Sequence, residues 1–153
     1  MKELAIELGL IIQKYHGDLM FLNEQEFSKE QGPGKWTKKQ ELGHLIDSAH
    51  NNLRRFIVSQ YEEQPKITYN QEEWVLASNY QNTSSTDIIS LWLLVNKQIC
   101  EVLRNMLPAN EEKLCNTGKE NPELRSLKWL AEDYIKHLKH HLHHILDLEP
   151  ISY

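Results

Sequence analysis

YIKHLKHHLHHI, residues 134–145, decides how this chain folds. At about 100° per residue, Tyr134, Leu138, Leu142 and Ile145 fall on one side of a helix, and counting backwards adds Leu127 and Ala131 to the same side. The leucines keep that register straight through the histidines at 137, 140, 141, 143 and 144, so the run is part of an amphipathic helix and not a tag. An apolar face of this length must be covered by other helices, which makes the segment one wall of a bundle.

The same projection sorts the histidines. His141 lies at the edge of the apolar face and His137, one turn earlier, somewhat beyond it. Their i, i+4 spacing lets both rings converge on a single ion. His140 and His143 fall on the far side with Lys136 and are expected in solvent, while His144 is intermediate. A lone HxxxH pair is a weak signal, because a zinc-type site needs at least a third ligand. The remaining candidates are His16, His44 and His50.

Three further segments show helical periodicity and none shows sustained strand-type alternation. The first covers roughly residues 2–24, with Leu4, Leu8, Ile11, Ile12, Tyr15 and Leu19 in register, and EQGPGKW interrupts the chain after it. The second begins at Thr37, where T-K-K-Q has the form of a capping box, and runs to about Gln60. Residues 62–82 read as polar and irregular. The third helix spans roughly 84–106 and stops before Pro108, and a long loop with Gly118 and Pro122 leads to the fourth, over about 124–147. Long helices joined by connections too long for hairpins predict an all-α, four-helix bundle with long crossover connections, a single domain over residues 1–153.

Composition narrows the function. The chain carries a formal charge of −5, which argues against a general nucleic-acid binder. No apolar run approaches a membrane span, and MKELAIELGLIIQKYHGDL reads as a first helix and not a signal peptide, so the expected location is cytoplasmic. Cys100 and Cys115 set no disulfide framework and are expected as idle thiols. Trp36, Trp74, Tyr80 and Trp92 are expected as core or loop-anchoring aromatics, with Trp74 and Tyr80 as alternative covers for a pocket mouth.

His44 falls well off the Leu42–Leu45–Leu53–Phe56 stripe of its helix, among Glu41, Ser48, Asn51, Asn52 and Arg55. That group is either a solvated face or the lining of a polar pocket between helices, and spacing leaves both open. GKWTKKQELGHLID followed far downstream by DYIKHLKHHLHHI resembles the DinB/YfiT-like superfamily of four-helix-bundle metalloenzymes (the DNA-damage-inducible family, not the polymerase). YNQEEWVLASNY and LWLLVNK extend the resemblance over nearly the whole chain.

The resemblance implies one divalent metal held by His44, His137 and His141, with zinc or nickel foremost and iron or manganese as alternatives. Position 144 is commonly glutamine in such proteins, so His144 either replaces that amide or competes as a ligand through a second pair with His140. Three protein ligands with open positions suit a catalytic metal, which activates water or a thiolate. Asp133 and Asp47 are candidates to orient a ligand imidazole, and Asn51, Asn52 and Arg55 to contact substrate; for each, an ordinary polar helix face is the competing reading. The family implies a hydrolase or a low-molecular-weight thiol S-transferase acting on a small molecule, in a homodimer. A non-catalytic metal-binding or stress-response interaction protein is the alternative.

Overall fold

A computed structural model describes residues 1–153. Four long helices, α1 (Lys2–Met20), α3 (Lys38–Val58), α5 (Ser85–Asn105) and α6 (Leu127–Ile145), form the bundle. Two short helices, α2 (Glu24–Phe27) and α4 (Gln71–Ser78), and an antiparallel pair, β1 (Leu114–Asn116) with β2 (Leu124–Ser126), lie in the connections. Around the bundle, α1 and α3 each pack against both α5 and α6. The apolar stripes of all four meet in one contiguous core that includes Leu8, Leu45, Trp92, Leu138 and Leu142.

The start of α3 sets the height of His44 in the bundle. Thr37 Oγ1 accepts the Gln40 amide at 3.2 Å and Gln40 Oε1 accepts the Thr37 amide at 3.0 Å, the expected capping box. Lys39, buried within that same turn, reaches Glu24 and the Thr83 carbonyl, tying α2, α3 and the entry to α5 together. Gly43 lies against the ring of Tyr80, which a Cβ at that position would overlap. Its value here is close approach, because the Tyr80 ring packs directly on α3 at this position.

The connections depart from the sequence-based expectation in three places. Residues 71–78 are helical within the stretch expected to be irregular; Asn70 caps them and Asn79, at φ 54°, ends them. The fourth long helix starts at Leu127, not Leu124, because the Ser126 side chain caps it and residues 124–126 pair with 114–116 instead. Strands of three residues are too short to show alternation, so this hairpin was not predicted. Cys115, in the stretch read as a long loop before the fourth helix, is buried in β1, and both thiols are free. No helix is long and apolar enough to cross a membrane.

Candidate metal centre

The group around His44 is a pocket lining and not a solvated face. Glu41, His44, Asp47, Ser48, Asn51 and Asn52 are all buried on α3, because α6 packs along that helix and Tyr80 closes over Asp47. His44, 2% exposed, meets His137 with 3.2 Å between their Nε2 atoms. The ring of His141 lies 5.0 Å from that of His44 and 4.6 Å from that of His137. One ring nitrogen from each of the three fits within a span of 4.8 Å, and this is the trio expected from the sequence. His16 and His50 do not join it.

The donor set fits a metal. Two imidazole nitrogens bound to one tetrahedral ion at about 2.0–2.1 Å stand about 3.3 Å apart, and the Nε2 atoms of His44 and His137 stand 3.2 Å apart. Burial, with the charge of His141 adding to it, pushes the pKa of His44 down to about 4 and that of His137 down to about 3. Both rings are therefore neutral near pH 7, the form in which imidazole ligates. His44 Nδ1 is buried without a partner.

The residue the sequence reading missed is Glu41. It is 6% exposed, and its two oxygens take the Nδ1 atoms of His141 at 2.7 Å and of His144 at 2.6 Å. Burial pushes its pKa up, but these two hydrogen bonds outweigh it and hold Glu41 below the ordinary carboxylate value. A carboxylate on Nδ1 sets the tautomer of His141 and leaves Nε2 free to face an ion. The signal was available: Glu41 precedes His44 by one turn and shares its polar face.

Both aspartates proposed for that orienting role do something else. Asp47 Oδ1 accepts the Tyr80 hydroxyl at 2.6 Å while Oδ2 has no partner, and burial pushes its pKa up to about 6 against that hydrogen bond. Asp133 accepts the Tyr153 hydroxyl on both oxygens, each at 3.1 Å. His144, an exposed side chain, bonds the second oxygen of Glu41 and is outside the trio.

His140 and His143 are not free in solvent as expected. His140 Nδ1 bonds the Ile151 carbonyl at 2.9 Å; His143 Nδ1 bonds the Glu149 carbonyl at 2.7 Å, and its Nε2 the Tyr15 hydroxyl at 2.8 Å. These contacts fold the segment after α6 back over the site, where the Tyr153 ring lies 5.4 Å from that of His137. On another side Trp36 stacks 5.0 Å from His44. Trp92 is fully buried core and Tyr80 anchors α3, whereas Trp74 is 39% exposed and packs on Tyr69, which itself lines a cavity with His44 and His137.

A cavity of about 130 Å³ opens beside the histidines, lined among others by His44, Asn52, Arg55, Asp133, His137 and Tyr153. Of the expected substrate contacts, Asn52 and Arg55 reach it; the Asn51 amide is turned back to the Asp47 carbonyl.

Comparison with known proteins agrees with this architecture. A protein of Oceanobacillus iheyensis named "Putative metal-dependent hydrolase" is 31% identical over 131 residues, covering 83% of this chain and 73% of that one. A protein of the same description from Bacillus mycoides is 28% identical over 130 residues, covering 83% of this chain and 72% of its own. The solved structure of YfiT from Bacillus subtilis, described as a probable metal-dependent hydrolase with an unusual four-helix bundle topology, superposes with a TM-score of 0.82 at 21% identity, over 96% of this chain and 86% of that one. Residues 19–145 match the DinB superfamily, and the chain belongs to that family.

Proposed function

We propose that this protein is a metal-dependent hydrolase acting on a small molecule, with one divalent ion held by His44, His137 and His141. The observation that carries the proposal is the convergence of three imidazoles from two helices, two of them neutral by burial and the third steered by Glu41. The relatives' printed descriptions point to the same chemistry. Zinc and nickel suit three neutral nitrogens best, with iron or manganese next. A bound ion there supplies Lewis acidity, polarising a carbonyl and lowering the pKa of a water or thiol. The chain's own part is to hold the trio between Trp36 and Tyr153 and to fix the proton of His141 on Nδ1 against Glu41.

Transfer of a low-molecular-weight thiol is the second reading, and one observation favours it. Glu41 and Asp133 each have both oxygens engaged, and the one unpartnered oxygen of the three acids belongs to Asp47, which does not line the cavity, so none of them stands by there as a general base. A thiol substrate would be activated by the metal alone. Both protein thiols are buried and neither joins the trio, so the sulfur would come from a cosubstrate. A cytoplasmic homodimer goes with either reading, and exposed Ile6 and Leu10 on α1 with Leu91 and Leu94 on α5 supply apolar surface for pairing.

The test is metal analysis of the untagged protein, followed by two panels: activated esters and amides, and thiols paired with electrophiles. One ion per chain, lost in His44→Ala and His141→Ala, is expected. Absence of stoichiometric metal, or binding unchanged in both variants, would sink the assignment. Turnover confined to the thiol panel would replace hydrolysis by transfer. Sedimentation velocity tests the dimer.

A further inference from the structure

We infer that Arg55 forms an anion subsite beside the three histidines, so that the molecule acted on there carries a carboxylate or phosphoryl group near its reacting atom. The inference deepens the metal-site reading and rests on it for the reacting end of the ligand. Arg55 follows His44 by eleven residues, about three helical turns, so the two side chains leave α3 on nearly the same side. Both line the cavity of about 130 Å³, with His137 on the facing helix.

The guanidinium is fixed before any ligand arrives. Its Nε and Nη2 donate to the Ile67 carbonyl at 3.2 and 3.0 Å, and its Nη1 donates to Asn52 Oδ1 at 3.2 Å. Asn52 is itself anchored, its amide donating to the Ser48 carbonyl at 3.0 Å. These three bonds leave two of the five guanidinium N–H donors without a protein partner. Every acceptor is neutral, and no carboxylate pairs with Arg55 among the ion pairs of the structure. Asp133, the acid that lines the same cavity, gives both oxygens to the Tyr153 hydroxyl.

Arg55 is half-buried, and a cation drawn out of water without an ion-pair partner is costly. Burial accordingly pushes the Arg55 pKa down, against smaller opposing effects of Cys115, Tyr69 and Asp133. A rigid, part-satisfied fork with no ion-pair partner, opening on a cavity that His44 and His137 also line, is suited to bidentate capture of a planar carboxylate or a phosphoryl group. If Arg55 served only to tie the Ile67 backbone to α3, its loss would lower stability and leave ligand preference untouched.

The experiment uses the cobalt-loaded full chain and reads the thiolate-to-cobalt charge-transfer band. Mercaptoacetate and 3-mercaptopropionate are titrated against the neutral 2-mercaptoethanol and 3-mercaptopropanol, with thermal unfolding followed in parallel. The acidic thiols are expected to bind about ten- to a hundredfold tighter than the neutral ones. That preference should vanish in Arg55→Gln and shrink in Arg55→Lys, which keeps the charge and loses the fork. Competition by acetate against inorganic phosphate tells which anion the subsite takes. No preference in the wild type, or the same preference in both variants, overturns the inference. If the chain takes up no cobalt, the metal reading fails by itself; the heat of acetate and phosphate binding to the metal-free protein, compared with Arg55→Gln, then decides the subsite. Binding lost in that variant supports it, and equal or absent binding overturns it.

Discussion

Replacing Glu41 with glutamine should weaken metal binding about ten- to a hundredfold. Glu41 is 6% exposed and holds His141 at 2.7 Å and His144 at 2.6 Å. A hydrogen bond to a charged, buried acceptor contributes about 1.5–3 kcal/mol. The His144 contact adds little, because that side chain is 67% exposed and the pair is screened. The loss therefore falls almost wholly on His141, and about 1.4 kcal/mol per decade converts it to one or two decades of affinity. Glutamine keeps a single carbonyl acceptor and no charge, so it can serve one imidazole and not two, and rotation of its amide would turn an N–H toward His141. The assay is competition for zinc against a chromogenic chelator near neutral pH, with His144→Ala as the companion variant. Glu41→Gln should lose affinity while His144→Ala stays close to the wild type. If Glu41→Gln binds as tightly as the wild type, or His144→Ala loses as much, the account of Glu41 as the residue that orients His141 is wrong.

Other predictions concern pH, packing and the cover over the site. With metal removed, His44 and His137 have pKa values pushed down to about 4 and about 3, below the ordinary 6.5, so the unfolded chain binds the extra protons. Their contribution is complete above pH 6.5 and is lost as pH falls toward 4. Asp47, pushed up to about 6 from 3.8, works in the opposite sense and offsets one of the two. Metal-free protein should therefore lose about 1.4 kcal/mol of stability per pH unit below about pH 6; urea midpoints at pH 7 and pH 5 check it, and a midpoint equal or higher at pH 5 contradicts it. Gly43→Ala should destabilise by about 1–3 kcal/mol despite the helix propensity gained, since its methyl group displaces Tyr80 from Asp47; an unchanged melting temperature would show that the ring moves at no cost. Tyr153→Ala should speed extraction of bound metal by a chelator, because it removes the ring over His137; an unchanged rate would mean the segment does not limit access.

Much of the fold is written in local periodicity. The apolar stripes of all four long helices, the Thr37 capping box and the HxxxH spacing of His137 and His141 are properties of short stretches, and a helix projects them without knowing its neighbours. Spacing within α3 could not say whether Glu41, His44, Ser48 and Arg55 faced water or another helix, because one face of a helix reads the same in either case; the resemblance to a family supplied His44. The packing of α6 across α3 settled it by burying that face. Tertiary structure alone decided that Glu41 serves His141, that Asp47 and Asp133 serve tyrosines, and that His140 and His143 hold the segment after α6 over the site. Each of those contacts joins residues whose separation along the chain carries no periodic signal, so only the folded arrangement of the helices brings them together.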